Sequence, residues 1–202
     1  MDRRSNNIAI FQDSMDLIKA SQKLQQAVQF SIQNQKLYVP SQAIAPPEPG
    51  KSPCKTIVSS KRSFESASAY AKAGKRVCVL NFASATNPGG GVTRGSTAQE
   101  ECLCRCSTLY PCLNTETMWH QFYQPHRKVG NPLYNDDLLY TPEVVVFKTD
   151  TSAPERMEEK DWYQVDIITC AAPNLRKKPS NAMNPSAGNA PVKISEKALY
   201  EL

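Results

Sequence analysis

The stretch NFASATNPGGGVTRGSTAQEECLCRCSTLYPCL, residues 81–113, contains the most informative pattern of this chain. Seven residues separate its three consecutive glycines from Gln99, Glu100 and Glu101, and the glutamates fall at a predicted helix start near Ala98. The three glycines are Gly89, Gly90 and Gly91. Because glycine has no Cβ, its backbone accepts positive φ, and its amides can approach phosphate or sugar oxygens. The stretch therefore predicts a nucleotide-holding loop beside acids that can do chemistry on the ligand.

The sequence upstream of the glycines alternates between strand and helix patterns. Residues 55–58 predict a strand, Ser63 an N-cap for a helix over residues 64–73, and Gly74 its C-cap. Residues 76–82 predict a second strand that runs directly into the loop. Strand-helix-strand units build parallel sheets, and ligands of such sheets bind at the carboxyl ends of the strands. We therefore expect the glycines and the glutamates at a ligand-binding edge.

The rest of the chain predicts a helical extension, a connector and the remainder of the core. Apolar residues spaced at threes and fours over residues 5–36 indicate one or two helices that pack on a core elsewhere. Prolines cluster in the connector and cannot continue a helix or a central strand. Further predicted elements are a short helix over 116–123, strands over 144–147 and 165–170, a polar loop over 176–191 and a last helix from Ser195 to Leu202. The predicted parts are a helical extension 1–39, a Pro-rich connector 40–53 and an α/β core 54–202.

Composition limits the class of protein. A chain of 202 residues with 40% hydrophobic content suits one domain with an appendage. Its longest apolar runs fall far short of the roughly 20 residues that cross a bilayer, so we expect no membrane association. The N-terminus has no apolar signal core and the seven cysteines contain no CxxC pair, so we expect a cytoplasmic protein, or a nuclear one in a eukaryote, with reduced thiols. The net charge of +5 is scattered and gives no DNA-binding signature.

Taken alone, the glycines and the glutamates leave their role open. Glycine-rich turns also occur for purely conformational reasons, and neither a GxGxxG loop nor a phosphate loop with Gly-Lys-Ser/Thr is present in the sequence. Adjacent glutamates at a helix start usually complement the helix dipole. The functional alternative is that one acid protonates the leaving group of a glycosidic bond and later takes a proton from water, while its neighbour orients the sugar. Neighbours on a helix point about 100° apart, so one faces the ligand and the other reaches in from the side.

Residues 81–101 resemble the signature of poly(ADP-ribose) glycohydrolases, in which GGG is followed by a short spacer, here of seven residues, and then by QEE. The segments VLNFASATNPGGG, VVVFK, ITCAAPN and the N-terminal IFQDS are similar to the microbial type of that family. The resemblance covers nearly the whole chain. It implies an α/β fold, namely a macrodomain-like core with a mixed or parallel sheet, flanking helices and an N-terminal helical extension.

The resemblance also implies an activity and a set of site residues. The expected reaction is hydrolysis of the ribose-ribose O-glycosidic bond of poly(ADP-ribose), which releases ADP-ribose without a cofactor or a metal. Glu101 would be the general acid and then the base, and Glu100 would hydrogen-bond the ribose hydroxyls. Gln99 would help to fix the loop. The distal ribose would be contacted by Asn87 and by the backbone of Gly89, Gly90 and Gly91. The expected partners are poly(ADP-ribose), ADP-ribose and ADP-ribosylated proteins.

The chain departs from the family pattern at its C-terminal end. Family members continue with a helix, a strand, a second glycine-rich loop that grips the diphosphate, and a final strand, so we expect an incomplete core. A strand missing from a sheet leaves backbone groups unpaired, so we expect the 202-residue chain alone to be poorly stable and to hydrolyse little polymer. Two alternatives stay open: an ADP-ribose-binding macrodomain without hydrolysis, and an inactive truncated remnant. The intact pair of Glu100 and Glu101 favours the enzyme.

Two further groups of residues have a structural interpretation. On a helix, Cys104 of the CLCRC motif points away from the other two cysteines, which predicts buried or half-buried core residues rather than metal ligands. The helix over 116–123 is predicted to pack through its aromatic residues, Trp119, Phe122 and Tyr123.

Overall fold

The structure is a computed structural model that describes residues 2–42 and 53–174. Its helices are α1 (Arg3–Ala20), α2 (Gln22–Asn34), α3 (Ser63–Lys72), α4 (Gln99–Cys106), α5 (Leu109–Leu113), α6 (Glu116–Met118) and α7 (Gln124–Val129), with a π-helical turn at Trp119–Tyr123 and 3₁₀ turns at Val92–Arg94 and Glu159–Asp161. Its strands are β1 (Lys36–Tyr38), β2 (Cys78–Phe82), β3 (Leu138–Val146) and β4 (Tyr163–Cys170). The loop predicted over 176–191 and the helix predicted from Ser195 lie outside the described residues. No helix within the described ranges has the length and apolar character needed to span a membrane.

The N-terminal segment forms two helices that pack on the rest of the chain, as predicted. The carboxylate of Asp2 caps α1 by accepting hydrogen bonds from amides of the first turn. Ser21 lies between the two helices, and its hydroxyl caps α2 by accepting from the amide of Leu24 at 3.3 Å. Phe11 of α1 is buried, and its ring lies edge-on to that of Tyr110 with the centroids 4.9 Å apart. The extension is thereby joined to the core.

The described strands form one mixed sheet with the order β1-β3-β4-β2. β2 and β4 are parallel, with Leu80 opposite Ile168, whereas β4 pairs antiparallel with β3, and β3 antiparallel with β1. The register shifts between Thr141 and Val144, and Glu143 in this irregularity has a positive φ of 52°. The observed architecture confirms the predicted α/β class with a mixed sheet and flanking helices.

The main hydrophobic cluster lies against one face of the sheet, and a smaller cluster contains Ile18, Leu24, Val145 and Phe147. On β2, Val79 and Asn81 are buried, whereas Leu80 and Phe82 on the opposite face are 47% and 62% exposed. The core is filled by fully buried side chains from the helices and strands, among them Phe64, Leu103, Leu109, Phe122, Tyr123, Val144 and Ile167. Trp119 packs against the same cluster, so the predicted aromatic packing face is confirmed.

One predicted strand is wrong and one observed strand is not predicted. Residues 55–58 form no strand, and the side chains of Ile57 and Val58 are 59% and 91% exposed. Their β-branched side chains favour extended backbone, but no strand of the described ranges pairs with them. β1 is too short to show an alternating pattern, so the sequence does not reveal it. The strands predicted over 76–82, 144–147 and 165–170 are confirmed as parts of β2, β3 and β4.

Helix α3 begins and ends one residue before its predicted limits. It spans Ser63–Lys72 with Arg62 at the N-cap, and Gly74 follows its C-terminal end with a φ of 72°. The buried carboxylate of Asp150, which lies after β3, accepts a hydrogen bond from the amide of Phe64 at 3.0 Å. A distant acid thus satisfies an amide of the first turn of α3, a contact that local sequence cannot indicate.

The carboxyl ends of β2 and β4 meet at one edge of the sheet. There the side-chain amide of Asn81 donates to the hydroxyl of Thr169 at 3.2 Å, and the amide of Ala83 donates to the carbonyl of Cys170 at 3.0 Å. The chain leaves β2 at this edge through residues 83–91 and returns in α4. This is the edge at which the sequence predicts a ligand site.

Candidate active site

The glycine loop folds as consecutive tight turns between β2 and the 3₁₀ turn Val92–Arg94. The amide of Gly90 donates to the carbonyl of Asn87 at 3.0 Å, and the amide of Val92 donates to that of Gly89 at 3.1 Å. Gly89 and Gly90 have φ values of 62° and 58°, in the left-handed region that residues with a Cβ rarely adopt. Two of the three glycines are therefore required by backbone conformation.

Gly90 also lies directly over both glutamates of the motif. A Cβ added there would stand 2.6 Å from Oε1 of Glu101 and 3.0 Å from Oε2 of Glu100. A Cβ on Gly89 would instead meet the ring of Tyr110 at 2.8 Å, on the packing side of the loop. The glycine-acid spacing in the sequence thus brings the loop and the carboxylates into contact, as predicted.

Glu101 is buried and is bound to the loop through one oxygen. Its Oε1 accepts a hydrogen bond from the amide of Gly91 at 2.8 Å. Its Oε2 is buried and has no hydrogen-bond partner in the part of the chain that the structure describes. A buried polar atom without a partner is costly and is expected where function requires it. Oε2 of Glu101 therefore has an unused hydrogen-bonding capacity within the described residues.

Both carboxylate oxygens of Glu100 accept hydrogen bonds, whereas only one oxygen of Glu101 does so within the described residues. Oε2 of Glu100 accepts from the amide of Ser84 at 2.8 Å, and its Oε1 accepts from the side-chain amide of Asn81 at 3.4 Å. Burial raises the pKa of Glu100 to about 8, and the charge of Glu101 acts in the same direction, against the lowering by the amide donors. The raised pKa favours the protonated form of Glu100 at neutral pH.

Gln99 fixes the start of α4 to strand β2. Its side-chain oxygen accepts from the amide of Phe82 at 2.9 Å, and its nitrogen donates to the carbonyl of Leu80 at 2.7 Å and to the hydroxyl of Ser63 at 3.1 Å. These contacts engage the backbone of β2 just before the loop, rather than the glycines themselves. Gln99 therefore acts on the position of the two glutamates that follow it.

Asn87 lies in the loop immediately before the glycines and is contacted by a distant arginine. Its Oδ1 accepts from Nη2 of Arg127 at 2.6 Å, while its Nδ2 donates to the hydroxyl of Thr86 at 3.0 Å. Nε of Arg127 donates to the carbonyl of Thr86 at 2.6 Å. The guanidinium stands 4.6 Å from the ring centroid of Trp119. The sequence does not single out Arg127, because it lies 40 residues from Asn87 and belongs to no recognisable motif.

The outer side of the loop is held by α1, which sequence reasoning also does not indicate. The side-chain amide of Asn7 donates to the carbonyl of Gly95 at 3.0 Å, and Nε of Arg4 donates to the carbonyl of Arg94 at 2.7 Å. Ser14 donates to a carbonyl of α4 at 2.6 Å. The helical extension therefore supports both the loop and the helix that carries the glutamates.

The three cysteines of α4 have the structural character that the sequence predicts. Cys104 and Cys106 are buried and Cys102 is half-buried. Burial raises the pKa of Cys104, and it raises the pKa of Cys106 to about 12. Over residues 2–42 and 53–174, no group of three or more histidine, cysteine or acidic residues is arranged to hold a metal ion.

Together these features define an α/β domain in which a glycine loop covers two buried carboxylates at the carboxyl edge of the sheet. Residues 9–149 match the sequence family described as "Microbial-type PARG, catalytic domain". The chain belongs to this family, PARG being poly(ADP-ribose) glycohydrolase. The family resemblance read from the GGG and QEE motifs is thus confirmed.

Solved structures of bacterial PARG proteins are similar to this chain. The PARG from Thermomonospora curvata has a TM-score of 0.72 at 30% identity, and the match covers 85% of this chain and 65% of that one. The same protein bound to the inhibitor ADP-HPD has a TM-score of 0.64 at 29% identity, covering 85% and 64%. The PARG from Deinococcus radiodurans in complex with ADP-ribose has a TM-score of 0.63 at 33% identity, covering 73% and 58%. The chain thus spans less than two thirds of these relatives. No curated protein matches the sequence.

Proposed function

We propose that this chain provides the catalytic acid of a hydrolase that cleaves the ribose-ribose O-glycosidic bond of poly(ADP-ribose) and releases ADP-ribose. The observation that carries the proposal is the state of Glu101, whose Oε1 is fixed by the amide of Gly91 while its buried Oε2 has no partner among the described residues. Family membership and the likeness to PARG structures, one of them in complex with ADP-ribose, support the choice of substrate.

In the proposed reaction Glu101 acts first as an acid and then as a base. Its carboxyl proton passes to the oxygen of the leaving ribose as the bond to the anomeric carbon breaks, with both bonding electrons going to that oxygen. Water adds to the oxocarbenium-like carbon, and the proton released by the water returns to Glu101. General acid-base catalysis of this kind contributes about 100- to 10,000-fold to a rate.

The remaining site residues hold the sugar in this proposal. Glu100 hydrogen-bonds the ribose hydroxyls, and its raised pKa of about 8 favours its protonated form at neutral pH. Asn87 and the backbone of the glycine loop contact the distal ribose, and the absence of a Cβ at position 90 leaves the space beside the two glutamates open. Gln99 keeps α4 in place on β2.

The proposal extends to partners and location. The substrates are the free polymer and poly(ADP-ribose) attached to proteins, and the reaction needs only water and the acid pair. We place the reaction in the cytoplasm, or in the nucleus of a eukaryote, because the seven cysteines are free thiols, as is normal in reducing compartments.

The test is release of ADP-ribose from purified poly(ADP-ribose) by the natural full-length protein, measured by chromatography. The matched control is Glu116→Gln, because Glu116 is also a helical glutamate but its side chain is 91% exposed. We expect the wild type and Glu116→Gln to release ADP-ribose at equal rates, and Glu101→Gln to release it at least about 100 times more slowly. A wild-type protein that binds ADP-ribose and leaves the polymer intact would instead identify a binding module.

A further inference from the structure

Arg127 connects helix α7 to the residue pair that precedes the glycine loop. Its Nε donates to the carbonyl of Thr86 and its Nη2 to Oδ1 of Asn87, both at 2.6 Å. The guanidinium of Arg127 also lies over the ring of Trp119, with its central carbon 4.6 Å from the ring centroid. Both short bonds come from adjacent nitrogens of one planar group, so the guanidinium holds a backbone atom and a side-chain atom of the loop at once.

This contact determines which way the amide of Asn87 faces. A guanidinium has only donors, so the atom that meets it must be the oxygen of Asn87 and not the nitrogen. Nδ2 then lies on the other side and gives one of its two hydrogens to the hydroxyl of Thr86 at 3.0 Å. A reversed amide would place donors against donors at Arg127. The second hydrogen of Nδ2 remains for a ligand.

We propose that Arg127 is a positioning residue, which orients the amide of Asn87 so that it presents an N–H donor to a ribose hydroxyl of the ligand. The inference rests on the proposed function, because it takes ADP-ribose as the ligand. Arg127 itself does not touch the ribose. It acts through Asn87, and its bond to the carbonyl of Thr86 fixes the guanidinium in front of the glycine loop.

The geometry also explains why the residue is an arginine. A lysine carries the same charge, but its single ammonium lacks the planar fork that spans two acceptors. The stacking on Trp119 further restricts the plane of the guanidinium, which a lysine would not maintain in the same way. Lys128, the next residue of α7, is exposed and provides a matched control of equal charge change.

The test is a double-mutant cycle on ADP-ribose binding, measured by calorimetry with the natural full-length protein. The variants are Arg127→Ala, Asn87→Ala, the double variant and Lys128→Ala, with Arg127→Lys as the conservative replacement. We expect Arg127→Ala to weaken ADP-ribose binding about 10- to 100-fold when Asn87 is present. In the Asn87→Ala background the same change should cost less than about threefold, because no amide remains to be oriented. Lys128→Ala should leave binding unchanged.

An equal loss from Arg127→Ala in both backgrounds would overturn the proposal, because Arg127 would then act on the ligand or on the fold in general. Arg127→Lys distinguishes the positioning role from a general effect on the fold. Its melting temperature should stay near that of the wild type, whereas its affinity for ADP-ribose should be lower. Wild-type affinity in Arg127→Lys would contradict the positioning role.

A measurement on the ligand-free protein separates this inference from the proposed function. The side-chain NH₂ resonances of Asn87 should shift in Arg127→Lys and stay in place in Lys128→Ala. Unchanged Asn87 resonances in Arg127→Lys would overturn the inference even if ADP-ribose binds. Failure of the wild type to bind ADP-ribose would overturn the proposed function and with it the ligand assigned to Asn87.

Discussion

Oε1 of Glu101 lies 2.8 Å from the amide nitrogen of Gly91, so the proposed catalytic acid and the loop that covers it are joined by a buried hydrogen bond. The loop cannot move away from α4 without breaking this bond. The same carboxylate keeps its second oxygen without a partner among the described residues. In the proposed mechanism Oε1 positions Glu101 and Oε2 exchanges the proton.

A methyl group at position 90 should disturb the acid pair. We predict that Gly90→Ala lowers ADP-ribose release at least tenfold, because its Cβ would stand 2.6 Å from Oε1 of Glu101. The control is Gly74→Ala, since Gly74 also has a positive φ but a Cβ there would meet nothing within 4 Å. Gly74→Ala should cost only backbone strain, of order 1 kcal/mol in the free energy of unfolding, with activity unchanged. Full activity in Gly90→Ala would contradict the geometry described for the loop.

The loop and the acids are predictable because their positions follow from local sequence. Glycine is strongly favoured where φ is positive, as at Gly89 and Gly90, and Gln99 begins the helix that follows the loop. The motif and its neighbourhood can therefore be predicted from the sequence alone. The supporting contacts of the site are different. Arg127 and Asn7 contact the loop, and Asp150 contacts helix α3, although all three are far from these segments in the sequence. Such contacts cannot be predicted from a local sequence pattern.

The errors in the predicted strands have the same cause. Thr56, Ile57 and Val58 have β-branched side chains, but strand formation depends on a partner, and none of the described strands pairs with them. β1 is only three residues long, and it is a strand because β3 lies beside it. Tertiary pairing, rather than propensity, decides both cases.

Glu100 should make the protein less stable as the pH rises. Its pKa is raised to about 8 from an ordinary value of 4.5, so the folded state binds a proton that the unfolded state releases. This contribution is fully present below pH 4.5 and is lost as the pH rises through about 8. We therefore predict that the melting temperature of Glu100→Gln, relative to wild type, increases between pH 5 and pH 8 by a few degrees. A difference that stays constant with pH would show that Glu100 ionises in the folded protein as it does in the unfolded chain.

Asp13 should stabilise the contact between the N-terminal extension and the core. It pairs with the buried ammonium of Lys148 at 2.7 Å and with Arg156, and the hydrogen bond from Arg156 is the main cause that lowers the pKa of Asp13 to about 2. We predict that Asp13→Asn lowers the free energy of unfolding at pH 7 by about 1–2 kcal/mol, a value reduced by the exposure of Asp13 to solvent. The exposed Asp16 of the same helix is the control, and Asp16→Asn should change the free energy of unfolding by less than about 0.5 kcal/mol.

The pH dependence of Asp13 has the opposite sign to that of Glu100. Because the folded pKa lies below the ordinary value of 3.8, the stabilisation is present above pH 3.8 and is lost as the pH falls through about 2. The difference in melting temperature between wild type and Asp13→Asn should therefore shrink between pH 4 and pH 2. A difference that grows on acidification would contradict this assignment.

The central claim is that Glu101, and not Glu100, transfers the proton. The most direct measurement compares Glu101→Gln with Glu100→Gln in the natural full-length protein, using the rate of ADP-ribose release from poly(ADP-ribose) and ADP-ribose affinity by calorimetry. We predict that Glu101→Gln lowers kcat at least about 100-fold while affinity stays within a few-fold, and that Glu100→Gln acts mainly through weaker substrate positioning. A loss below about tenfold in Glu101→Gln, or an inactive Glu100→Gln beside an active Glu101→Gln, would contradict the claim.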